Sequence, residues 1–366
     1  MSACAQTLIL RKSLFAVACA VFLHAFATHA VPQQTTSVPA TQVAQAFEQA
    51  RTAGITDKTF AEVLAVAYAL VAEKRFDEAA HLFVALTERR PRDAAALYGA
   101  ALATFNSGHA PQTEPLARRA VEVALSAFTD ARDAGAVSRE VKMRVADALV
   151  LLAVVVAVKG DDAEALKTVE RAVALAPEHF DAQFALGRAR FGAGDNAGAA
   201  LAFRAAMSLN PADARPRFFL ATALEAAGDA EGALVAYREL AAKQPSFAEG
   251  HLGLGVLLVR RGGVEAEAGL TELRRALEIN PDLYEAQVTL GRVLVAQGRA
   301  AESLEHLRRA AELAPGVPEP HYQLSLAYRR LGRREEAAAE SAIVKQIHEA
   351  RRVSGARAHA PVTPDD

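Results

Sequence analysis

From Phe60 onward, apolar residues recur at intervals of three and four, the spacing of one helical face, in short runs broken by the same signals. In Phe180–Asp213 (FDAQFALGRARFGAGDNAGAALAFRAAMSLNPAD) one run carries Leu186 and Gly187, and Gly194-Asp195 supply a tight turn. A second run carries Ala199, Phe203 and Ala206, and Pro211 closes it. The layout returns at Ala214–Phe247, Ala248–Leu283 and Tyr284–Val317. Pro177, Pro211, Pro245, Pro281 and Pro315 mark a near-constant period. Only the interval from Pro245 to Pro281 is longer than the others, by two positions. That excess sits at Gly262-Gly263, between predicted helices, where insertions are best tolerated. Each proline ends a run because it steers the residue before it out of the helical region. A fixed period of about 34 residues marks stacked helix–turn–helix units.

The first unit, Phe60–Asp93, carries Val63, Val66, Ala67 and Leu70, then Ala79, Phe83 and Leu86, and stops at Pro91. The second, from Ala94, is irregular. Gly108 marks its turn, and Pro111 and Pro115 fall at the start of the next helix, where proline is tolerated. The stretch from Pro91 to Pro177 holds two full periods and roughly half of another. The surplus, near residues 126–145, predicts a longer helix pair: one helix running to about Asp133, a break at Ala134–Val137, and Ser138 as the next N-cap. It reflects either packing drift or a feature for one partner. The third unit, Ala146–His179, opens on the nearly all-apolar DALVLLAVVVAV, which reads as a buried helix. A bilayer needs ~20 such residues. The last unit, Pro318–Arg351, keeps Leu324, Tyr328, Gly332 and Ala337 but has no closing proline, as befits a terminal unit whose outer face meets water. The expected organisation is a secretory signal over 1–30, a flexible linker over 31–42 and a short helix or cap over 43–59. About eight units over 60–351 and a disordered tail over 352–366 follow.

Apolar residues make up 52% of the chain and Trp is absent. Alanine dominates them; it is the strongest helix former and permits close helix approach, so an all-α fold is predicted. The formal charge is −2, and losing Arg11 and Lys12 with the leading segment would make it −4. That balance argues against a nucleic-acid partner, which needs a basic face. Arg11-Lys12, the apolar Leu14–Leu23 and the small residues up to Ala30 form the pattern of a secretory signal, cut after Ala27 or Ala30. An uncleaved anchor, with the chain membrane-anchored and facing the periplasm, is the alternative. Cys19 lacks the leucine expected three places before a lipidated cysteine. Both cysteines, Cys4 and Cys19, lie in this segment, so a processed chain has no disulfide, Cys–metal site or thiol nucleophile. The alanine and arginine bias suggests a GC-rich bacterial source, and the expected location is the periplasm or the cell exterior.

These repeats resemble the tetratricopeptide repeat family over about Phe60–Arg351. Leu186-Gly187, Leu254-Gly255 and Leu290-Gly291 look like its leucine–glycine pair. Ala199, Phe203, Ala206 and Pro211 look like its second-helix pattern, echoed by Ala233, Tyr237 and Pro245. Its early tryptophan is missing throughout, and its tyrosine survives as Tyr68 and Tyr328 but is Arg190 in the central unit. The resemblance implies a right-handed α-solenoid of stacked helix–turn–helix repeats whose first helices line a concave groove. Carried onto this chain, the groove candidates are Phe184, Arg188, Phe191, Arg215, Phe218, Thr222, Arg292, Tyr322 and Arg329. Aromatics beside arginines are what interface anchors look like, and they suit a peptide or helix bearing acidic groups. The alternative is that the phenylalanines complete the core while the arginines lie over it. A carboxylate clamp of the kind some family members carry is not expected, because Arg188, Thr222 and Val256 come without asparagine pairs.

No pattern for chemistry emerges. The histidines form no i, i+4 pair or HExxH run; His251 and His321 share a place in their units but belong to different, non-adjacent repeats. Gly192-Ala193-Gly194 lacks the Lys of a phosphate loop, and there is no GxSxG. Arg118-Arg119, Arg274-Arg275 and Arg308-Arg309 lie among glutamates at helical spacing, as in a solvated, salt-bridged face. No catalytic residue, cofactor or metal is expected. The function expected is a non-enzymatic scaffold that binds a protein or peptide segment in the envelope. The alternatives are self-association through exposed solenoid ends and, less favoured, the targeting part of an envelope enzyme, for which 352–366 leaves no catalytic domain.

Overall fold

Paired short helices joined by tight turns account for most of the chain. The computed structural model describes residues 37–52 and 54–358, so the expected signal over 1–30 lies outside them. Helix α1 (Ala40–Arg51) comes first, followed by the hairpin of α2 (Asp57–Ala72) and α3 (Phe76–Arg89). Next are α4 (Ala94–Asn106) with α5 (Ala110–Asp133), α6 (Arg139–Val158) with α7 (Asp162–Leu175), and α8 (Phe180–Gly192) with α9 (Asn196–Leu209). Then come α10 (Arg215–Ala226) with α11 (Ala230–Lys243) and α12 (Ala248–Arg261) with α13 (Glu265–Ile279). The last are α14 (Tyr284–Ala296) with α15 (Ala300–Leu313) and α16 (Pro318–Arg330) with α17 (Arg334–Ala358). The fold is all-α, built of stacked helix–turn–helix repeats. Two compact units arise, one through Pro216 and one from Arg217.

The turns follow from local chemistry. Gly194 takes φ 86 between α8 and α9, a left-handed conformation that costs glycine little. Lys74, at φ 62, takes the corresponding place in the first hairpin and is the one positive-φ residue with a side chain among those described. After the turn, Asp161, Asp195 and Asp229 accept from the backbone N–H groups of Glu164, Gly198 and Gly232, which meets an orphan donor at each helix start. The fourth residue of several first helices reaches back to the preceding hairpin. Gln183 Nε2 donates to Pro177 O at 2.9 Å, Gln287 Nε2 to Pro281 O at 2.9 Å, and His251 Nε2 to Pro245 O at 3.2 Å. The closing proline thus stops one helix and offers the carbonyl that holds the next.

Within hairpins, a small residue lets the pair cross closely. A Cβ at Gly187 would lie 2.5 Å from Phe203 Cε1, and one at Gly291 2.5 Å from Leu307 Cγ; no side chain fits in either place. Leu186, Leu220, Leu254, Leu290 and Leu324 are all buried. In the first unit a continuous core runs from Val43 to Ala182. In the second, clusters around Tyr237, Leu290 and Tyr328 fill successive hairpins.

The surplus near 126–145 is a long pair: α5 has 24 residues and α6 has 20. Ser138 Oγ accepts from Val141 N. The run 147–158 is buried along most of its length, with Val158 exposed at its end. Of the linker expected over 31–42, residues 31–36 lie outside the described residues, and the remainder is held in place. Val38 N donates to Glu73, its carbonyl accepts from Arg75 Nη1 at 2.7 Å, and α1 begins at Ala40. Burial of Val43, Ala46 and Ala50 against α2 and α3 accounts for this order. Helix α17 runs to Ala358, into the segment expected to be a tail, with an Arg352–Glu349 pair at helical spacing. Among the described residues, no helix is long and apolar enough to cross a membrane.

Candidate interaction surface

The first helices carry the groove candidates, and the structure divides them into buried and accessible groups. In the first unit Phe184 is buried. Its ring stacks on Phe180 with centroids 6.1 Å apart and meets Phe203 at 5.8 Å. The Arg215 guanidinium lies over both rings, 5.2 Å from the Phe184 centroid and 5.9 Å from that of Phe180, within cation–π range. Asp213 fixes it there, accepting from Arg215 N and Nε at 2.9 Å. Phe184 and Arg215 are therefore brought together, with Phe184 as a platform in the core rather than an exposed anchor. Arg188 and Phe191, further along α8, are half-buried.

Near this platform are the acids Asp147, Asp181 and Asp213. His179 Nε2 donates to Asp147 Oδ1 at 2.8 Å while its Nδ1 accepts from Ala182 N at 3.1 Å. Burial pushes the Asp181 carboxyl up, and neighbouring Asp147 and Asp213 add to this against the pull of His179 and Arg215.

In the second unit, Phe218 and Thr222 are also turned to internal use. Phe218 packs edge-on to Phe219 at 5.4 Å and to Phe247 at 6.2 Å, and tilts against Tyr237 at 6.1 Å. Thr222 Oγ1 donates to Phe218 O at 3.0 Å and so accepts from the Tyr237 hydroxyl, also at 3.0 Å. Arg292, Tyr322 and Arg329 are different. Tyr322 is 51% exposed, and Arg292 and Arg329 are exposed. Among the described residues neither arginine forms an ion pair. Tyr322 and Arg329 lie nearly two full turns apart on α16, so they share one face.

Three pairings escaped sequence reasoning, although His251 and His321 share a place in their units. His251 Nδ1 faces Glu272 Oε2 at 2.7 Å, His306 Nδ1 faces Gln287 Oε1 at 2.8 Å, and His321 Nδ1 faces Glu340 Oε2 at 2.6 Å. The three pairs occupy one place in successive hairpins, bridging the first helix to the second. Because each partner lies on the other helix of its hairpin, no short motif shows them; aligning the units at their period would have. His306 is held below the ordinary imidazole range by burial, with Arg274 adding to it. Glu285, on α14, was also missed. It is partly buried, and its side chain has no hydrogen bond or ion pair among the described residues.

Of the arginine pairs, Arg118 binds Glu114 and Glu164 at 2.8 and 2.7 Å, Arg275 binds Glu278 at 2.6 Å, and Arg309 binds Glu312 at 2.8 Å and also Asp282. Arg308 instead donates to the Tyr328 hydroxyl at 2.8 Å. Between α13 and α15 an open cleft of about 800 Å³ is lined by Arg274, Leu277, Glu305 and His306 among others. Among the described residues, no three His, Cys, Asp or Glu side chains gather as metal ligands.

A family model described as tetratricopeptide repeat matches residues 64–122, 157–214, 218–284, 265–318 and 288–346, together more than half of the chain. None of the curated proteins compared with the chain matches it. Among solved structures, that of the APC/C hetero-tetramer Cut9–Hcn1 is matched at 14% identity over 84% of this chain and 56% of that one, with a TM-score of 0.51. That likeness is one of fold. YrrB, described as a TPR protein with an unusual peptide-binding site, is matched at 22% identity over 57% of this chain and 96% of that one, with a TM-score of 0.42. TTC0263 of Thermus thermophilus, a thermophilic TPR protein, is matched at 25% identity over 46% of this chain and 90% of that one, with a TM-score of 0.38.

Proposed function

The chain belongs to the tetratricopeptide repeat family, and from that premise we propose that it is a non-catalytic scaffold of the cell envelope whose first helices hold a peptide or helix segment of a partner. Proteins of this family are in general protein-interaction scaffolds, and such repeats seldom carry chemistry of their own. The observation that carries the finer reading is the group Arg292, Tyr322 and Arg329. A large aromatic left half in water and two guanidinium groups without ion pairs among the described residues sit on first helices of neighbouring hairpins. Tyr and Arg are the side chains most often found at the energetic centre of interfaces. In the first unit the half-buried Phe191 lies on the corresponding first helix, α8, and Arg215 is held over the Phe180–Phe184 stack.

The envelope location rests on the Arg11-Lys12 end, the apolar run and the small residues up to Ala30. Intact-mass measurement of the protein from its host should give a chain beginning at Thr28 or Val31; retention of Met1 with the membrane fraction would point to the anchored form. For the interaction, the tagged chain should co-purify a partner from the envelope fraction, and Tyr322→Ala/Arg329→Glu should lose it without altering the melting curve. A partner retained in full by that double variant would remove the first-helix assignment.

A further inference from the structure

Within the second unit, α14 carries two groups of opposite charge that the fold leaves without partners. Glu285 sits in the first turn and Arg292 further along the same helix. Their spacing is nearly two full turns, so both project from one face, ~10 Å apart along the axis. Glu285 is partly buried and Arg292 exposed, and among the described residues neither makes a hydrogen bond or ion pair through its side chain. The register counterpart of Glu285 on α16, Glu319, does have a use: it accepts from Gln323 Nε2 at 2.9 Å. Nearby, Glu225 of α10 is paired with Arg260 of α12, so those two charges do not satisfy Glu285.

A carboxylate taken partly out of water without a hydrogen-bonding partner is unfavourable, and such groups in otherwise satisfied structures need an explanation. Burial and the Glu225 charge push the Glu285 carboxyl up, while Arg260 and Arg292 pull against them. Beside it, the Tyr284 phenol is pushed up to about 12, mainly by burial. A negative charge at Glu285 is therefore disfavoured until a cation arrives.

We propose that Glu285 and Arg292 form a two-charge reader on the first-helix face: Glu285 takes the ammonium or guanidinium of a partner's basic residue, and Arg292 takes a carboxylate about three residues away on the same extended segment. Three residues of extended chain span ~10 Å, the separation of the two groups on α14. The partner segment is thus of mixed charge rather than uniformly acidic. This rests on the first-helix assignment above and adds to it the charge pattern of the ligand.

The test uses the full chain and three synthetic peptides of equal length, otherwise of Ala, Ser and Leu: one with Lys and Glu at the two reading places, one with Glu at both and one with Lys at both. Fluorescence anisotropy should show saturable binding of the Lys–Glu peptide to the wild-type protein. Glu285→Gln should weaken it about twofold to fivefold, the scale of one charge pair near a surface. Glu285→Lys should weaken it further and should instead bind the Glu–Glu peptide. Such a charge-swap rescue cannot come from a merely structural role, and Glu285→Gln, which keeps the shape of the side chain, guards against loss of fold. Equal binding of the peptides by wild type and Glu285→Lys, or no saturable binding of the Lys–Glu peptide to wild type, would overturn the proposal. The two readings fail differently. A partner lost on Tyr322→Ala/Arg329→Glu but indifferent to Glu285→Lys removes the charge reader alone, whereas one indifferent to both removes the first-helix site.

Discussion

At Gly291 the neighbouring helix comes so close that Leu307 occupies the space a side chain would need. Gly291→Val should overpack that crossing and destabilise the protein by about 1–3 kcal/mol, visible as a lower Tm, whereas an unchanged melt would mean that the hairpin can spread at no cost. Charge acts at the same scale. Burial pushes the Asp181 carboxyl above its unfolded value, so folding favours its protonated form. Its contribution to stability is fully present below the unfolded carboxylate range, about pH 3.9, and is lost as pH rises through the folded pKa. Asp181→Asn should therefore raise Tm at neutral pH, with the gain vanishing below that range; a gain independent of pH would contradict this. The sequence made the glycines and leucines legible because their spacing is periodic and their sizes are constrained by neighbours. It did not show which groove candidates face inward. Phe184 and Phe218 have the same residue type and register as an exposed anchor would, and only the rings packed against them decide the matter.

Helices in this chain are set by their ends. Asp161, Asp195 and Asp229 cap three of the second helices, and Asp229→Ala should cost about 1 kcal/mol. Hydrogen exchange should then accelerate first in the opening turn of α11; protection unchanged there would show that the cap is redundant. Turn glycines and closing prolines made helix number and phase readable, including the break before Ser138. What local signals could not give was order imposed from outside the element. Val38 and α1 are held by Glu73, Arg75 and the apolar faces of α2 and α3, although Val31–Gln42 has the composition of a spacer. The His251–Glu272 and His321–Glu340 pairs were hidden for the same reason, since each joins two helices across a turn.

At the scale of the whole chain, each hairpin is stable because its neighbours cover it, and stability in such arrays is close to a sum over adjacent contacts. Leu290 is fully buried within the second unit. Leu290→Ala should cost about 2–5 kcal/mol, with exchange protection falling in α12–α15 before it falls in the first unit; uniform loss throughout would indicate a single cooperative block instead. Stacking places the first helices α14 and α16 of the second unit next to each other, and they carry the exposed Arg292, Tyr322 and Arg329. Site-specific cross-linking tests that arrangement most directly, with a photoreactive phenylalanine at Tyr322 on α16 or, as the control, at Leu313 on α15, in cells of the host. The account predicts a cross-linked protein partner from position 322 and none, or far less, from position 313. Equal adducts from both positions, or adducts from 313 alone, would contradict it.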